Sequence, residues 1–188
     1  LAEAETLQFE FTNFAETVAR YVDEVEKLTK TMREETKAMN GAISSGILKA
    51  VQDPRKTYVV PEPKDEVPFL NFAPLQNALV KLETAAKQYD KARKSPKTAP
   101  NPALLSDVLY KTERALTSEN GLPGRNWFRH QIYAPGFYTG YGVKTLPSVR
   151  EAIEQRDWKL ATEKIKFVAE IIEGFAEEIE NASEMKSR

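Results

Sequence analysis

Apolar residues recur at spacings of three and four in four stretches of the chain, and each stretch predicts an amphipathic helix. Val18, Tyr21 or Val22, Val25, Leu28 and Met32 line one face of the first, with charged residues opposite. Its start is predicted at Asn13, whose side chain can cap while Glu16, three residues on, completes a capping box. A second helix is predicted from Pro74, with Leu75, Leu79, Leu82, Ala86 and Tyr89 on one side, and Lys94-Ser95-Pro96 ends it. Asn101 as cap and Pro102 in the first turn open a third, which is expected to bury Leu104 or Leu105, Val108, Leu109 and Leu116. Pro147 starts a short helix with Val149, Ala152 and Ile153. Asp157 caps the last long one, in which Ala161, Ile165, Val168, Ile172, Phe175 and Ile179 form a continuous stripe. Helices this apolar on one face do not stand alone, so the predicted fold class is all-α, an antiparallel four-helix bundle.

Two stretches break the helical period. Gly41, the Ser44-Ser45-Gly46 cluster and then Pro54, Pro61, Pro63 and Pro68 predict an irregular excursion over about 41–70. Within it Ile43, Ile47, Leu48 and Val51 have the spacing of a short amphipathic helix, and Thr57-Tyr58-Val59-Val60 has strand propensity without an evident partner. The second break, a loop of about 117–146, carries Trp127, Phe128, Tyr133, Phe137, Tyr138, Tyr141, the single histidine His130 and five of the eight glycines. Ordering a backbone costs about 1–2 kcal/mol per residue, so a loop of this length is either disordered or functional. Its aromatic content argues for order, because disordered segments are poor in such residues.

The same loop carries a family resemblance. Thr112-Glu113-Arg114-Ala115, Gly121-Leu122-Pro123, Arg129-His130, Ile132-Tyr133-Ala134-Pro135, Tyr141 and Leu146-Pro147 follow one another in an order and spacing that resemble the C-terminal helical domain of the transferrin receptor and glutamate carboxypeptidase II family of zinc peptidases. Helical patterns from about Phe9 to Ala182 fit the resemblance, while Glu34 to Val67 has no counterpart and reads as an insertion. The resemblance implies a dimerisation domain whose partners are a second copy of itself and a catalytic domain elsewhere in the parent protein. It also implies that zinc belongs to that catalytic domain, and that in catalytic members the glycine-and-tyrosine loop enters the substrate pocket. Tyr141 is the residue so implied as substrate-binding. Members that cleave glutamate carry a lysine just before this tyrosine, where this chain has Gly140, and Lys144 is the alternative ammonium. A non-catalytic receptor or sorting protein uses the same architecture and is the rival expectation. Localisation is left open by the sequence, a membrane-anchored parent with a lumenal, vacuolar or extracellular domain being one option.

Composition narrows the chemistry. The 188 residues suffice for one domain with its own core. The chain opens on Leu1 rather than methionine and reads as an excised piece, a single helical domain over 1–188. No apolar run is long enough to span a bilayer. Lys and Arg number 27 against 28 Asp and Glu, so no global field draws nucleic acid. The local run of Lys87, Lys91, Arg93, Lys94 and Lys97 reads as a solvated helix end. Zero cysteines and one histidine leave no hydrolytic zinc set and no thiol nucleophile, so neither catalytic nor metal residues are expected in this fragment. His130 reads as a hydrogen-bonded structural residue, and Glu113-Arg114 as a charge pair tying the loop to the helices. Gly136, Gly140 and Gly142 match no phosphate-binding motif. Asn181-Ala182-Ser183 matches a glycosylation acceptor.

Overall fold

The computed structural model describes residues 6–51, 53, 55, 57, 59–96, 99–140 and 142–187; Pro54, Tyr58, Lys97 and Tyr141 lie outside them. The chain is mostly helical: α1 (Thr12–Ser44), α2 (Ile47–Ala50), α3 (Ala73–Arg93), α4 (Pro102–Lys111), α5 (Pro147–Glu154) and α6 (Trp158–Ser187), with a hairpin of β1 (Tyr133–Pro135) and β2 (Val143–Thr145).

The stripe of α6 is buried along its whole length, from Ala161 through Ile165, Val168, Ile172 and Phe175 to Ile179. Against it pack Leu75, Leu82, Ala86 and Tyr89 of α3, and Val18, Val22 and Val25 of α1. Gln76 at the start of α3 donates to Glu26 (2.9 Å), and Asp90 near its end meets the start of α1, so α1 and α3 are antiparallel. Arg156, just before α6, donates to Thr36, while Phe175 packs edge-on against Phe11 and Phe14. Hence α1 also runs against α6, and α3 and α6 run in the same direction. The sequence pattern predicts antiparallel neighbours throughout, but the long excursion from 94 to 157 returns the chain to the end where α3 began. The α3–α6 contact is the most extensive between helices. Buried Ala78, Ala85 and Ala86 on α3 and Ala169 and Ala176 on α6 allow such close approach.

Four expectations are corrected. Asn13 does not cap α1 but lies inside it; the cap comes from another helix. The backbone N–H groups of Phe11 and Thr12 donate to the Asp90 carboxylate (3.4 and 3.1 Å), as does the Thr12 hydroxyl. A carboxylate there answers both the unpaired N–H groups and the positive end of the helix dipole. Second, α1 continues past Gly41 to Ser44 and stops where Gly46 turns left-handed (φ 73°). Third, although the short helix forms as α2, it is one turn with no buried residue that leaves Ile47 and Val51 exposed, and Thr57, Val59 and Val60 form no strand. Fourth, α4 has ten residues and passes into a 3-10 turn at Thr112–Leu116, leaving three long helices rather than four. Its cap is as predicted, Asn101 accepting from Leu104 N (3.0 Å), as is that of α6, Asp157 accepting from Leu160 N (2.9 Å). Of the two leucines in α4, Leu105 is buried and Leu104 exposed.

The excursion before α3 is strapped to α1. The Asn40 amide donates to Lys64 O and accepts from Lys64 N (2.7 and 3.0 Å), pairing with the strap as a neighbouring strand would. Arg33 donates to the carbonyls of Val67 and Pro68 and lies 3.9 Å above the Phe69 ring. Arg156 reaches the Asp65 carbonyl (2.9 Å), so its one side chain joins the strap, α1 and the root of α6. In α6 the Asn181-Ala182-Ser183 motif lies within the helix, with Ala182 and Ser183 buried.

Candidate functional site

The loop from Thr117 to Leu146 is folded by its own backbone. Ser118 N donates to Arg129 O and Leu122 N to Phe128 O, both at 2.9 Å, closing a turn around Gly121. Gly121 has φ 62°, and a Cβ there would fall 2.1 Å from the Asn126 carbonyl oxygen. The chain then pairs β1 with β2, Tyr133 facing Thr145, Ala134 facing Lys144 and Pro135 facing Val143. At the turn Gly136 N donates to Gly142 O (2.8 Å), and a Cβ on Gly136 would collide with Thr139 Oγ1. Leu122, Ile132, Ala134 and Leu146 are buried, the last in a left-handed conformation (φ 44°) just before α5.

One ion pair holds these pieces together. Arg125, 4% exposed, donates through Nη2 to both oxygens of Glu151 on α5 (2.6 and 2.7 Å) and through Nη1 to the Pro135 carbonyl. Glu151 Oε1 also accepts from Phe137 N (2.8 Å). The guanidinium lies 5.6 and 5.5 Å from the Phe128 and Phe137 ring centroids. The first turn of the loop, β1, its tip and α5 therefore converge on two side chains. Sequence reasoning missed both. The available signal was an arginine in a loop without helical acidic neighbours, together with a glutamate beside the apolar positions Ala152 and Ile153.

The predicted residues are placed as follows. His130 is structural: its Nδ1 accepts from the N–H groups of Ile132 and Tyr133 (both 3.3 Å), and its ring lies 4.1 Å from that of Tyr133. Burial lowers its pKa below 6.5, partly opposed by Glu113, whose carboxylate is 3.8 Å from Nε2. Glu113 ties the loop to the helices, but through the Tyr133 hydroxyl (3.1 Å) rather than Arg114. Arg114 lies 5.8 Å from the Tyr110 ring centroid. Lys144 is held by both oxygens of Glu154 (2.5 and 2.7 Å). Tyr141 lies outside the described residues, between Gly140, itself at φ 59°, and Gly142. Arg150 binds Glu24 of α1 (2.6 Å) and Thr145, fastening the hairpin to the long helices. Trp127 and Tyr138 are left 69% and 80% exposed. Among the described residues no group of three or more His, Cys, Asp or Glu is arranged to hold a metal ion. Nor, among the described residues, is any helix long and apolar enough to cross a membrane.

His130 carries a pH prediction. Its folded pKa is depressed, so its contribution to stability is present above pH 6.5 and lost as pH falls through the lower folded value. Protonation removes the lone pair that receives two backbone N–H groups. The difference in Tm between the wild-type chain and His130→Asn, whose amide oxygen keeps that acceptor at all pH, should shift against the wild type between pH 7.5 and 5. Parallel profiles would show that folding does not lower the His130 pKa.

The fold is a helical body that carries an ordered aromatic loop. The family profile described as "transferrin receptor-like dimerisation domain" matches residues 70–180, and the chain belongs to that family. Among curated proteins it is similar to a probable glutamate carboxypeptidase, LAMP1, of Arabidopsis thaliana, 38% identical over 85 residues, 45% of this chain and 12% of that protein. A probable glutamate carboxypeptidase of Arthroderma benhamiae is 29% identical over 103 residues, 53% of this chain and 14% of the relative. The inactive zinc metalloprotease C354.09c of Schizosaccharomyces pombe is 26% identical over 104 residues, 52% of this chain and 13% of the relative. The chain thus spans well under a quarter of the length of each.

Proposed function

We propose that this chain is the dimerisation domain of a glutamate-carboxypeptidase-like zinc metallopeptidase, a single helical unit that mediates homodimer assembly and lends its 117–146 loop to the substrate pocket. In this reading α1, α3, α4 and α6 act as the family's helical bundle, and the zinc is held by a catalytic domain elsewhere in the parent. The observation that carries the loop's role is the buried Arg125–Glu151 pair. It fixes a loop whose tip leaves the Phe137 and Tyr138 rings exposed, and exposed apolar patches mark contact surfaces. Two relatives named as probable glutamate carboxypeptidases support the peptidase assignment. Tyr141 is the proposed contact to substrate, since a phenol can donate to a carboxylate.

The test uses the full-length parent: mass by light scattering, zinc by metal analysis and hydrolysis of glutamyl peptides. Tyr141→Phe removes a hydrogen bond to a charged acceptor worth about 1.5–3 kcal/mol. A fall of about 10- to 100-fold in kcat/KM follows. A zinc-loaded, active dimer in which Tyr141→Phe changes nothing would remove Tyr141 from the site while leaving the assembly role.

The second reading, a non-catalytic receptor or sorting protein, is favoured by one observation. Gly140 stands where a lysine precedes the tyrosine in glutamate-cleaving members, and the nearby Lys144 is engaged with Glu154. One relative is itself named inactive. A dimer without zinc or hydrolysis would decide for it.

A further inference from the structure

We propose that the cavity between the loop tip and α5 is a binding site for a primary carboxamide. The cavity has about 200 Å³, smaller than drug-sized pockets and suited to one small group on a flat apolar body. Its walls are Pro123, Ala152, Leu160 and the side chains of Phe137 and Tyr138. Three polar side chains line it: Ser148, Glu151 and, at its exposed edge, Gln155. Ser148 is 2% exposed, and its Oγ is buried without a hydrogen-bond partner, a state that native structures rarely leave unanswered. Glu151 offers about four lone-pair positions, of which Arg125 and Phe137 N use three.

Charge selects the ligand's head. Arg125 already neutralises Glu151, so an ammonium gains little, and a carboxylate would face the Glu151 oxygens. A carboxamide can donate N–H to the free Glu151 lone pair and accept from the Ser148 hydroxyl. It fits both groups without bringing a charge out of water. Tyr138, 80% exposed and packed edge-on against Phe137 (4.7 Å), forms the outer wall of the cavity. This site is independent of Tyr141 and of whether the parent protein hydrolyses anything.

The experiment titrates the ¹⁵N-labelled 188-residue chain with benzamide, benzoate and benzylamine, three probes with nearly the same body and different heads. Benzamide is expected to give saturable shifts at the amides of Gly124, Phe137 and Ala152, with the two charged probes markedly weaker. Ser148→Ala should weaken benzamide about 2- to 12-fold, the worth of one hydrogen bond. It should not lower the Tm of the free chain, since the lost hydroxyl has no partner. Should that variant misfold, Tyr138→Ala, on the exposed wall, must still weaken benzamide. Equal binding of all three probes, absence of saturation, or unchanged benzamide affinity in the variant that folds overturns the assignment.

Discussion

Arg125→Ala is expected to destabilise the chain by about 3–5 kcal/mol, because it leaves a buried carboxylate with one backbone partner and no countercharge. For a chain of this size that corresponds to a fall in Tm of about 6–20 °C. Glu151→Ala should cost a similar amount, since it strands a guanidinium that is 4% exposed and whose Nε already lacks a partner. The two are not additive. Replacing both at once with apolar residues, Arg125→Met with Glu151→Leu, removes both desolvated charges and is expected to cost far less than the sum of the single changes. If each single change lowers Tm by less than about 2 °C, the pair does not organise the loop. The near-ultraviolet circular dichroism of the loop's aromatic rings gives a second readout. It should collapse in the single variants while the far-ultraviolet helical signal persists.

This pair also marks where sequence stops being legible. Periodicity exposes what repeats: the α6 stripe and the α3 stripe apart from half-buried Leu79 are buried as the spacing predicts. Caps are legible when the capping residue is local, as at Asn101 and Asp157. The loop offers no period, and its order comes from contacts such as Arg125 to Glu151, 26 residues apart. The hairpin was hidden for a related reason. Each strand has three residues, too few to show alternation, and their pairing is fixed by the turn at Gly136 and Gly142. Helix direction was equally out of reach, because a stripe states which face is buried and not which way the neighbour runs. The family resemblance, in contrast, rests on short motifs in order, which survive without any knowledge of packing. Tyr141 was reached in that way alone.

The cap of α1 illustrates the same limit and carries the second large effect. Asn13 and Glu16 satisfy the local pattern of a capping box, yet the helix begins one residue earlier because Asp90, 78 residues away from Thr12, supplies a better acceptor. A carboxylate held in place by α3 receives two backbone N–H groups and a hydroxyl, and loses no side-chain freedom that the α3 packing has not already taken. Asp90→Ala is therefore expected to cost about 1.5–3 kcal/mol, the worth of hydrogen bonds to a charged group, with a Tm lower by about 3–12 °C. Asp90→Asn keeps one carbonyl acceptor and should lie between. Global destabilisation alone would not identify the cap. Hydrogen exchange separates the cases: in Asp90→Ala the amides of Phe11 and Thr12 should lose protection before those of α6, whose stripe is untouched. Uniform loss along all helices would show that Asp90 acts as a core group rather than as the cap. Unchanged exchange at Phe11 and Thr12 together with an unchanged Tm would return the helix start to Asn13.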